Sequence, residues 1–204
     1  PNFLYGNEPH MISIPAGEFS AKEGKRFSLL DNYYIDKTEV TQEDYIEVMG
    51  KTNFSFKGKN HPAEQITWFK AKAYCEKIGK RLPTQLEWEK AARGKSDSKY
   101  FWGNKPDANF AWYGGDYDLG HHQVGIKKPN LFGLFDTSGN VWEWTDSGED
   151  NIKYLRGGSW NSFASGMRIS ELRRSDPSFK SSTYVFVVFN NIGEIGRASC
   201  RERV

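Results

Sequence analysis

Cysteine is scarce in this chain of 204 residues, which has two, and so is any excess of charge, since 28 basic and 26 acidic residues leave a net +2. Two thiols cannot build the disulfide framework of a small secreted domain. A near-even charge balance gives no basic footprint for nucleic acid. No apolar run approaches the roughly 18 residues that a membrane span needs, and nothing at the start reads as a signal peptide. The chain opens at Pro1 rather than Met, so an upstream segment for export or surface anchoring, and with it the compartment, stays open. What the chain does have is rings: aromatics make up 15% of it, against 37% for all hydrophobics. Disordered chains are poor in aromatics, so a folded core built on rings is expected. Twenty glycines and eight prolines predict many turns. The length suits one large domain or two small ones.

Cys75 lies in an apolar, helix-like stretch, where a thiol behaves as a small buried hydrophobe. Cys200 lies in Glu194–Val204, which has no hydrophobic period. That tail resembles the in-frame translation of a sequencing adapter, and residues 194–204 are read as non-native and left out of the fold. A natural basic tail is the alternative. Without Cys200, no pair of cysteines remains for a metal.

Met11–Ile14 alternates and is followed by Pro15-Ala16-Gly17, which predicts a strand entering a hairpin. Phe27 to Val40 reads as a second strand around Tyr33-Tyr34-Ile35-Asp36. Thr41 with Asp44 predicts a helix start, with Gly50 as its stop. Thr67 to Ile78 carries Trp68, Ala71, Cys75 and Ile78 at helical spacing and ends at Gly79. Thr84 and Glu87 form a full capping box before a third helix that stops at Gly94. From Lys95 to Thr145 glycine, asparagine and aromatics alternate without a period, as in functional or ion-held loops joined by short strands. Late strands are expected at Lys153–Arg156 and Tyr184–Phe189. The expectation is one α+β domain over residues 11–193, preceded by an extension over residues 1–10.

Several segments together resemble the formylglycine-generating enzyme, or sulfatase-modifying factor, family. They are Ile14-Pro15-Ala16-Gly17-Glu18-Phe19, Tyr34-Ile35-Asp36-Lys37-Thr38-Glu39-Val40-Thr41 and Arg81-Leu82-Pro83-Thr84-Gln85-Leu86-Glu87-Trp88. More specific are Asn130-Leu131-Phe132-Gly133-Leu134-Phe135-Asp136, Gly139-Asn140-Val141-Trp142-Glu143-Trp144 and Arg156-Gly157-Gly158-Ser159-Trp160. The resemblance implies a C-type-lectin-like fold with short twisted strands, about three helices and much irregular structure. It also implies structural calcium at Asn140, the Val141 carbonyl and Glu143, an oxygen set suited to a hard cation. On the residues alone, Glu143 can instead accept backbone hydrogen bonds beneath the tryptophans. A second family calcium site would map to Asn109 and Phe110, closed by Asp116 or Asp118, in a loop that is shortened here.

The family's oxidase uses two cysteines shortly after the Arg-Gly-Gly-Ser-aromatic motif, because soft sulfur favours Cu(I). The matching positions are Ser162 and Met167, so copper and formylglycine generation are not expected. A related branch holds iron in a His-x-x-x-His-x-Glu segment. None of His10, His61, His121 and His122 has that spacing, and His121-His122 read as a solvated loop pair. No serine–histidine–aspartate order or phosphate-cradling loop stands out.

The segment after Trp160 is rich in small polar residues with scattered aromatics, a paratope-like composition. An ordinary surface loop is the competing reading. The segment is also similar to the part of diversity-generating-retroelement variable proteins that is exchanged to vary ligand specificity. That resemblance implies a non-catalytic binding or display domain for an unidentified protein or small molecule. Its ligand-facing residues would be Trp160, Asn161, Ser162, Phe163, Ser165, Met167, Arg168, Arg173, Phe179 and Lys180. The alternative is a metal-dependent oxidoreductase of the same family with an unrecognised site.

Overall fold

A computed structural model describes residues 10–21, 24–114 and 120–191. Its three helices begin where hydroxyl caps stand. In α1 (Gln42–Met49), the Asp44 N–H donates to Thr41 Oγ1, and the helix ends at Gly50. In α2 (Trp68–Lys77), Thr67 accepts from the Lys70 N–H. The capping box of α3 (Gln85–Arg93) is complete, because Glu87 also accepts from the Thr84 N–H at 2.8 Å. Each cap satisfies amides that the first turn leaves without partners. Gly94 then closes α3 in the left-handed conformation, which glycine adopts without steric cost.

The strands form three sheets. β1 (Met11–Ile14) and β9 (Phe189–Asn191) flank β4 (Tyr33–Asp36), and β2 (Gly17–Ser20) pairs with β3 (Arg26–Leu29). The third sheet runs β7 (Arg173–Ser175), β6 (Ile152–Arg156), β5 (Trp142–Glu149) and β8 (Tyr184–Phe186). Its β5–β8 pair is parallel. The expected hairpin at Pro15–Gly17 does not form: Ile14 pairs with Tyr33, and the turn instead sends the chain into the β2–β3 ribbon. The single strand expected over 27–40 is divided between β3 and β4. Tyr184–Phe189 is likewise two strands that switch sheets, with Val187 and Val188 buried between them.

Two ring-rich cores hold these layers together. Trp142, Trp144, Tyr45, Tyr74, Tyr184 and Phe186 pack with Ala71 and Cys75 of α2. Trp88 of α3 packs with Tyr33, Ile35, Leu134 and Phe189. The Cys75 thiol is fully buried, and burial pushes its pKa upward.

Candidate functional site

Close backbone approaches assemble the motif loops. Gly139 and Asn140 both have positive φ, and a Cβ on Gly139 would overlap the Trp112 carbonyl. Here glycine is required for packing as well as conformation. The Gly139 N–H donates to the Gly157 carbonyl, and the Trp160 N–H donates to that of Asn140. The start of β5 is thereby stitched to the loop that follows β6. Beneath that loop, Glu89 of α3 accepts from Arg93 at 2.6 Å and from Arg156 at 2.5 Å, all three being buried. Arg156 also donates to the Ile169 carbonyl at 2.7 Å.

The segment after Trp160 is held from below and open above. Ser162 Oγ accepts from the Ser159 N–H at 3.0 Å, and the Ser162 carbonyl accepts from Gly114. Ala164–Met167 forms a 3-10 turn whose Ala164 carbonyl accepts from the Tyr100 hydroxyl at 2.8 Å. Phe163 is 81% exposed and Phe179 52% exposed, while Asn161, Ser165, Arg168, Arg173 and Lys180 also face solvent. Arg173 lies over the rings of Trp142 and Tyr184 at 5.9 and 5.4 Å, and Phe179 meets Tyr184 edge-on at 5.7 Å. Arg173 and Phe179, separate in sequence, are thus joined through Tyr184, which the sequence offered no reason to single out.

Two residues assigned to this face need correction. Met167 is fully buried, packing with Tyr100 and Ala111, because its turn folds the side chain inward. It cannot face a ligand in this conformation. Trp160 is largely buried as well, its ring meeting Phe56 edge-on at 5.9 Å beside Val141 and Val185. It supports the face more than it forms it.

Of the first set expected to hold calcium, Asn140, Val141 and Glu143 are all buried. Asn140 Oδ1 accepts from the His122 N–H at 2.9 Å, and its amide nitrogen donates to Glu39 at 2.6 Å. Glu39 also accepts from the Val141 N–H. Glu143 accepts from the Trp88 indole at 2.6 Å. Glu39 and Asp136 were not among the expected residues, although both lie in the quoted motifs, yet they share this region electrostatically with Glu143. Burial, reinforced by Asp136 and Glu143, holds Glu39 well above the carboxylate range. Burial also pushes Asp136 up to about 6 and Glu143 up to about 8. Among the described residues, no three histidine, cysteine, aspartate or glutamate side chains gather in a metal-binding group. Of the second calcium set, Asn109 donates its backbone and side-chain N–H to Asp107, and the Phe110 ring stacks on Trp102 at 5.1 Å. Asp116 and Asp118 lie outside the described residues, as does the 194–204 tail.

The adjacent histidines point apart. His122 stacks on Trp112 at 3.6 Å, while the buried His121 places Nδ1 3.1 Å from Nδ1 of His61. His121 Nε2 is 3.8 Å from the buried Glu64. His121 is therefore a core residue, contrary to the expected solvated pair, because Phe56 packs against its ring at 5.1 Å.

Two antiparallel sheets and one mixed sheet, with three short capped helices and long motif loops, form the C-type-lectin-like fold of the formylglycine-generating enzyme type. A family model described as a sulfatase-modifying factor enzyme 1-like domain matches residues 4–192, and the chain belongs to that family. It is similar to Treponema denticola variable protein 1, with TM-score 0.80 and 26% identity, covering 89% of this chain and 95% of that structure. It is 42% identical over 121 residues to the inactive C-alpha-formylglycine-generating enzyme 2 of Bos taurus, covering 52% of this chain and 40% of that protein. It is 29% identical over 240 residues to serine/threonine-protein kinase pkn1 of Chlamydia pneumoniae, covering 89% of this chain and 38% of that protein. The chain thus spans about two fifths of these curated relatives' length. Among the described residues no helix is long and apolar enough to cross a membrane.

Proposed function

We propose that the chain is a non-catalytic ligand-binding or display domain on this scaffold. The observation that carries the reading is the chemistry at the two positions where the oxidase would have cysteines. Ser162 offers a hydroxyl tied to Ser159, and the Met167 thioether is buried against Tyr100. Neither provides an accessible thiolate, the species that attacks a disulfide or binds Cu(I) firmly. Support also comes from the exposed Phe163, Phe179 and Arg173, set on rigid backing in the manner of aromatic and arginine anchors. The likeness to a variable protein points the same way. A near-copy of the stretch coding for Trp160–Phe189, beside a reverse-transcriptase gene in the source genome, would establish diversification of this face. The oxidoreductase alternative, with a site not yet recognised, requires instead copper or iron near one ion per chain in elemental analysis of the purified protein.

We further propose that a structural calcium ion is held near Glu143, with Asn140 and the Val141 carbonyl as the set the family resemblance indicates. The supporting observation is that Glu39, Asp136 and Glu143 are each buried and Asp136 repels both glutamates, with no cationic side chain within 4 Å among the described residues, although the three do not gather as one ligand group. Apart from the pull of Lys127 on Asp136 these buried carboxylates lack a counter-charge, which is costly, and a hard cation bound through oxygen would offset that cost. Because Asn140 Oδ1 is already engaged by His122, binding would require that oxygen to be shared. The ion would act on the scaffold, securing the loops beneath the exposed face.

A further inference from the structure

A cleft of about 330 Å³ opens between the β2–β3 ribbon and the end of α3, and it shares no residue with the face around Phe163 and Phe179. Lys90, Phe19, Phe132, Arg26 and Lys95 line it. Lys90 is only 6% exposed. Its ammonium donates to the Gly17 carbonyl at 2.8 Å, and among the described residues no carboxylate lies within 4 Å of it. The neighbouring Arg93 is different, because its guanidinium is committed to Glu89. An ammonium has three donors, so Lys90 keeps two beyond Gly17. Burial lowers its pKa from the ordinary lysine value, as expected for a cation that lacks a partner.

The rest of the cleft narrows the ligand class. Phe19 and Phe132 are half-buried rings, with the Lys95 ammonium 5.9 Å from the Phe132 centroid. Two rings among eight polar or charged lining residues suit a ligand that joins one apolar body to an ionic group, and this volume falls at the small end of the range for small-molecule sites. Glu18 and Asp97 also line the cleft, and the carbonyl end of α3 adds negative potential nearby. With Arg93 held by Glu89, Arg26 3.8 Å from Glu18, and Asp97 offsetting Lys95, one cation, Lys90, is left, which matches a single carboxylate better than a dianionic phosphate. We propose that the cleft binds a small aromatic monocarboxylate, its carboxylate on the Lys90 ammonium and its ring between Phe19 and Phe132.

The test is NMR titration of the ¹⁵N-labelled chain with 3-phenylpropionate, 3-phenylpropanol and phenyl phosphate. The expected result is saturable binding of the carboxylate at about 1 mM or tighter, a range suited to so small a ligand. The shifts should centre on Ser20, Lys95, Ser96 and Phe132. The alcohol and the phosphate should each bind at least tenfold more weakly. Lys90→Met should weaken binding at least tenfold. Should that variant lose its fold along with its bond to Gly17, Phe132→Ala provides the same test, with a several-fold loss expected. No saturation by ~20 mM, shifts centred on Phe163, or equal binding of the alcohol would overturn the proposal. Tighter binding of phenyl phosphate would overturn it too.

Discussion

Replacing Glu89 by Gln isolates the charge that holds the motif loops to α3. The carboxylate is buried and accepts from Arg93 through Nε at 3.1 Å and a terminal nitrogen at 2.6 Å, and from Arg156 at 2.5 Å. Burial lowers the Arg156 pKa, and Glu89 is the main influence opposing that shift. An amide of the same shape preserves packing but removes the anion between two buried guanidiniums, leaving Glu171 to act on Arg156. Removing one partner of such a network costs about 3–5 kcal/mol. For a domain of this size each kcal/mol lowers the melting temperature by roughly 2–4 °C, so a fall of about 6–20 °C is expected. Far-UV circular dichroism melts would measure it. Because Arg156 immediately precedes Gly157, ¹⁵N resonances of Gly157–Trp160 should shift more than those of α1. A fall below ~2 °C would refute the reasoning, since it would mean the guanidiniums gain little from the carboxylate.

Four further outcomes are expected. With chelator present, raising the pH from 6 to 8 should destabilise the chain, because folded Glu143, pushed up to about 8, holds a proton that its unfolded counterpart has already released. The loss is up to about 1.4 kcal/mol per pH unit, so roughly 2–3 kcal/mol over the interval; calcium should flatten the slope, and melts that do not fall with pH in chelator would contradict this. Phe163→Ala and Phe179→Ala should each leave stability within about 0.5 kcal/mol. Met167→Ala should lower it by about 2–5 kcal/mol, and urea denaturation distinguishes the two classes. Gly158→Ala should cost about 1–3 kcal/mol, because φ is +82° and the new Cβ would lie 2.8 Å from the Gly166 carbonyl; an unchanged urea midpoint would count against that packing.

How much of this was legible depended on how local the determinants were. The helix boundaries follow from Thr41, Thr67 and Thr84 and from the glycines beyond, all within a few residues of what they control. β5 was hidden because Trp142–Thr145 is buried at every position, which removes the period-two signal of a one-sided strand. Ile14 and Tyr33 lie far apart along the chain, so their pairing could not be read from the turn at Pro15–Gly17. Of the candidate face, Phe163 and Phe179 were expected to face a ligand, and both are exposed. Met167 was misplaced because a 3-10 turn, which carries no strong sequence signal, rotates it inward. Glu39 and Lys90 were missed for another reason. A charged residue on a helix or loop is ordinarily exposed, and only the tertiary fold reveals that these two are not.

The claim that chemistry has been lost at Ser162 and Met167 is tested most directly by mass spectrometry of a cysteine-containing sulfatase-motif peptide. The peptide would be incubated with the chain, Cu(I), a thiol reductant and oxygen. Its cysteine is expected to remain unchanged while an active formylglycine-generating enzyme converts it in parallel. Conversion of the cysteine to formylglycine by this chain, lost on removal of copper, would contradict it.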